Sequence, residues 1–147
     1  MNALFRAVPT IAVSLCLLPM TAAAEPNVPY EVGQIWSYRH RPSDEASLGR
    51  IVSIEGDGDG AIYHIGLIGL KLPCNGDAGD VAHLPVSEKT MRDSLVAPVE
   101  SAAEFPDAAE GIAEWRRAEG GIFTISIAEI ADVLEQTMCS PDRIMSD

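Results

Sequence analysis

From residue 34 to residue 72 the side chains follow the period of two that marks a pleated strand. In "QIWSYRH" (34–40) Trp36 and Tyr38 share one face, and Ile35 and Ser37 share the other. "RPSDEAS" (41–47) breaks the run, because Pro42 holds its φ and Ser43 and Asp44 favour a turn. "LGRIVSIE" (48–55) resumes it, with Val52 and Ile54 set against Ser53 and Glu55. After "GDGDG", the stretch "AIYHIGLIGLKL" (61–72) is the longest β-like run. Gly66 and Gly69 within it suggest a bulge or a close backbone approach. These three runs predict an antiparallel meander. "VAHLPV" (81–86) reads either as a short further strand or as an extended connection.

Beyond residue 86 the period lengthens. Ser87 is placed to cap a helix carrying Met91, Leu95 and Val99, which Pro98 ends or kinks. "FPDAAEGIAEWRRAEGG" (105–121) predicts a second helix with Ala108, Ile112, Trp115 and Ala118 as its apolar stripe, stopped by Gly120 and Gly121. "IFTI" (122–125) is a candidate short strand. "SIAE" (126–129) is a capping box opening a third helix, which buries Ile127, Ile130, Leu134 and Met138. Strands followed by helices predict an α+β fold. The expected form is a small antiparallel sheet, a three-strand meander plus one or two short strands, covered on one face by about three helices.

The first 24 residues do not belong to that domain. One charge (Arg6), a ten-residue apolar run (Ile11–Met20) too short to span a bilayer, and Ala22 and Ala24 at the A-x-A positions read as a signal peptide cut after Ala24. A lipid-attachment reading of Cys16 is disfavoured by Leu15 before it. The remaining 25–147 is then a single α+β domain, periplasmic or secreted, with no membrane span after cleavage. Without Arg6, nine basic residues face 22 acidic ones, a net charge of −13. Such a surface repels nucleic-acid phosphates and admits a basic protein partner. Cys74 and Cys139 survive cleavage; in an exported chain they are candidates for a disulfide, with free thiols or an intermolecular bridge as alternatives.

Little else looks chemical. "EGDGDG" (55–60) fails as an EF-hand: counted from Asp57, positions 5, 6 and 12 are Ala61, Ile62 and Ile68. It matches G-x-G-x-x-A by letter, but a β-like run follows where the dinucleotide fingerprint needs a helix. A cation site remains only if Asp57 and Asp59 meet Asp77 and Asp80 of the second Gly/Asp loop. His40, His64 and His83 lack the local spacing of a zinc site. His83 draws the most interest, since it precedes a helix start and could face a cleft. No G-x-S-x-G occurs, and the abundance of acids strips close carboxylate pairs of meaning. Arg39, His40, Arg41 and Arg50 form a small basic island, best read as pairing with Asp44 and Glu45 of the same turn. No cofactor and no bound metal are expected.

Four motifs carry a resemblance. The chain resembles a family of small uncharacterised bacterial proteins with a G-Q-x-W-x-Y start, an R-P-x-[DE] turn, an H-x-P stretch before a helix and a G-x-F-T-I-S end. Here these are Gly33–Tyr38, Arg41–Asp44, His83–Pro85 and Gly121–Ser126. The resemblance implies no activity and gives no residue a role, but it adds weight to Trp36, His83 and Trp115 as places to look, and these three are the candidate binding residues. The expected function is that of an exported, non-enzymatic protein-binding domain of immunity or inhibitor type. A small periplasmic hydrolase or metal-dependent enzyme using His64 and His83 is the alternative.

Overall fold

Gly56 and Gly58, at φ of +75° and +55°, turn the chain back on itself where a side chain would be strained. The computed structural model describes residues 28–75 and 79–140; the expected signal peptide and Asp77 of the second loop lie outside them. The hairpin joins β2 (Leu48–Glu55) to β3 (Ile62–Leu70). β1 (Ile35–Tyr38) precedes it and β4 (Gly79–Ser87) follows. The sheet is antiparallel, in the order β4-β3-β2-β1-β5, with β5 (Leu95–Pro98) on the far edge. Among the described residues three α-helices complete the α+β fold: α1 (Glu88–Ser94), α2 (Ala109–Arg117) and α3 (Ile127–Met138).

The meander is as the alternation predicts, and "VAHLPV" lies within a full nine-residue strand. Several expectations need correction. Leu95 and Val99 do not extend α1: Leu95 is extended, at ψ of 144°, and Leu95–Pro98 pairs with β1. Pro98 pushes Ala97 out of helical space, and an edge strand tolerates proline. The second helix begins at Ala109, not 105. "IFTI" contributes a single parallel bridge, Phe123 to Val86, instead of a strand.

The helices also divide between the two faces of the sheet. Trp36, Tyr38, Ile51, Tyr63, Ile65, Leu67, Leu84 and Val86 share one face by register. They form the main core with Met91 of α1 and with Ile127, Ile130 and Ala131 of α3. Met138 points away, 43% exposed. α2 packs on the opposite face, where Phe105 covers Gly66 and Ile112 is buried. Expecting three helices on one face failed because the second face is apolar only in part, through Gly66 and Val52, and carries histidines.

Candidate functional site

Alternation puts His64 on the face opposite Tyr63 and Ile65, and pairing across the sheet sets it against Pro85 of β4. His83, two residues earlier on β4, therefore lands diagonally beside it. The His64 and His83 rings stack with centroids 4.9 Å apart, and His64 Nδ1 lies 2.7 Å from His83 Nε2. Glu55, the last residue of β2, reaches the other side of His64, its Oε1 3.2 Å from Nε2. That approach is off the N–H line, so the buried Nε2 has no hydrogen-bond partner among the described residues. α2 closes the group. Trp115 meets His64 edge-on at 5.0 Å and His83 at 6.3 Å. Arg116 Nε donates to Glu55 Oε1 at 2.8 Å. At Gly111 a Cβ would come within 3.0 Å of His83, so glycine there lets the helix ride on the imidazole.

The charges order this line. The Arg116 guanidinium, helped by His64, holds the Glu55 carboxyl below its ordinary value. A carboxylate brings no proton, so we assign the ring proton of His64 to Nε2, which faces it. Nδ1 then accepts from His83 Nε2, and His83 Nδ1 keeps a lone pair. Burial, more than Glu55 can offset, pushes His64 below the usual imidazole value. Burial, His64 and Arg116 do the same to His83.

The proposed binding residues thus separate. His83 and Trp115 meet; Trp36, 5% exposed, lies in the core on the other face, its Nε1 donating to Gln34. His40 is exposed and its Nδ1 lies 2.8 Å from Arg41 O. The basic island divides: Arg41 ion-pairs with Asp44, Asp132 and Glu135, Arg39 donates to Asp93 O, and Arg50 faces the α2 side. Asp57 and Asp59 precede β3 while Asp80 lies beside Gly69 near its far end, roughly 20 Å or more away at the strand rise per residue, and Asp77 is outside the described residues. Among the described residues no three His, Cys, Asp or Glu are placed to hold one metal ion. Three clefts, of about 500, 260 and 350 Å³, open elsewhere: at the end of α3, beside Gly33–Ile35, and between Arg50 and Phe105.

Sequence reasoning missed Glu55 and Arg116. An acid ending one strand and a histidine third in the next become diagonal neighbours across a hairpin, so Glu55 carried a usable signal. Arg116 carried none, because its place depends on which face α2 covers.

The quoted motifs all do structural work. Gly33 adopts φ +94°, and Gln34 accepts from Glu31 N and Trp36 Nε1. Tyr38 Oη and Ser47 Oγ are 2.5 Å apart. Gly121 O accepts from Trp115 Nε1, and Ser126 forms the capping box with Glu129. Comparison with protein-family models, curated proteins and solved structures found no match.

Proposed function

We propose that this chain is an exported, non-enzymatic domain that acts by binding a basic protein, in the manner of an immunity or inhibitor protein. The observation that carries the reading is the charge of α2 and its approach. Glu100, Glu104, Asp107, Glu110, Glu114 and Glu119 are all exposed, against Arg116 and Arg117 in the same stretch. Those arginines are themselves engaged, by Glu55 and Glu114. Opposite potentials steer a basic surface onto such a band and set its on-rate. The disulfide between Cys74 and Cys139 suits an oxidising compartment, and among the described residues no helix is long and apolar enough to cross a membrane.

The test is binding of basic proteins recovered from periplasmic extract, measured with purified components at two salt concentrations. Saturable, salt-sensitive binding that weakens about tenfold or more in the triple variant Glu104→Lys, Glu110→Lys, Glu114→Lys is the expected result. Binding indifferent to those changes, or no saturable binding, overturns the reading.

One observation favours a second reading, a small hydrolase: the Glu55–His64–His83 line leaves a basic nitrogen on His83. Against it stands the complete burial of His64. Hydrolysis of ester or peptide substrates that disappears in His83→Gln would establish it.

A further inference from the structure

We propose that the Glu55–His64–His83 line is an acid-sensitive latch that holds α2 on the sheet at neutral pH and releases it when the imidazoles take up protons. Four elements meet there. β2 brings Glu55, β3 brings His64, β4 brings His83, and α2 brings Gly111, Trp115 and Arg116. Among the described residues the charged and titratable groups facing the pair are Glu55 and Arg116.

The two rings at 2.7 Å have room for one hydrogen between them. A first added proton goes to His83 Nδ1, the free lone pair. It keeps the N–H···N bond, but it puts a cation beneath α2 and near Arg116. A second must go to His64 Nδ1, and two N–H groups then point at each other across that distance. His64 is 0% exposed and cannot turn to water while α2 is docked. The pair relieves the conflict by parting, and Trp115, packed edge-on to both rings, loses its seat. α2 has nine residues, too few to persist as a helix once undocked.

The direction follows from linkage. Docked, both imidazoles bind protons less readily than free histidine. The undocked form therefore binds more protons as pH falls, and the latch weakens through and below the ordinary imidazole range. Glu55 opposes release until the pH falls below the carboxylate range, because Arg116 keeps it ionised. The latch stands whether or not α2 is a partner surface.

The test is hydrogen exchange of the purified, disulfide-bonded protein at pH 7.5 and 5.0, corrected for the intrinsic chemical rate, with imidazole resonances followed in parallel. The expected result is that protection across Ala109–Arg117 falls about tenfold or more while both imidazoles charge. α3 keeps its protection, and His64 and His83 titrate below free histidine. The double variant His64→Asn, His83→Gln is expected to remove the pH dependence. Equal α2 protection at the two pH values, loss of α2 and α3 together, or a pH dependence that survives in the double variant overturns the latch. If the double variant does not fold, the wild-type comparison of α2 with α3 decides.

Discussion

Glu119 occupies the position after α2 where helices usually place glycine. Its φ is +50°, and Gly120 N donates to Trp115 O at 2.9 Å, closing the helix end in the Schellman manner. Glu119→Gly should therefore raise stability by roughly 0.5–1 kcal/mol, the left-handed cost less the entropy glycine regains when unfolded. A higher urea midpoint with unchanged slope checks it. Gly120 is needed for a different reason: a Cβ there would lie 2.2 Å from Trp115 Cδ1. Gly120→Ala should cost about 1–3 kcal/mol by overpacking, and should disturb the His64 and His83 resonances as the indole shifts. The sequence places the helix stop at Gly120 and Gly121; the helix ends earlier, at Arg117, the chain turns at Glu119, and Gly120 makes room for an indole.

Among the elements, α3 has two holds. Its apolar face enters the core through Ile127, Ile130 and Ala131. Its polar side is tied to the β1–β2 turn by Arg41, which reaches Asp44, Asp132 and Glu135 and donates to Lys71 O. Asp44 is 1% exposed; burial works to raise its carboxyl pKa, but Arg41 and the Lys71 amide bring it below the ordinary value. Arg41→Ala strands that carboxylate and should cost about 3 kcal/mol in thermal or urea unfolding at pH 7. A depressed carboxyl pKa contributes stability above its unfolded value and loses it as pH falls through the folded one. The gap between wild type and variant should therefore close in acid. The island of basic residues in "RHRP" read correctly as an internal pair for Arg41 and Asp44; its reach to α3 lies over 90 residues away and left no local trace.

At the scale of the whole molecule, Cys74 and Cys139 join the β3–β4 connection to the end of α3, with Cα atoms 5.3 Å apart and a sequence separation of 65. Closing a loop of that length is worth about 4 kcal/mol in the chain-entropy model. Reduction should lower stability by that order, and Cys74→Ala/Cys139→Ala should match the reduced protein under non-reducing conditions. An equal midpoint for oxidised and reduced protein would show that the reduced chain retains compensating structure. An even cysteine count raised this pairing, with free thiols and an intermolecular bridge as alternatives until both ends were in place.

Strand alternation, the Ser126 capping box and the turn at "GDGDG" were legible because each depends on neighbours a few residues away. Local sterics and the period of two set them whatever the rest of the chain does. The side of the sheet taken by α2, the conversion of Leu95–Pro98 into an edge strand, and the meeting of Glu55, His64, His83 and Arg116 were not. Each depends on which buried surfaces close on one another, and that free energy belongs to pairs far apart in the chain.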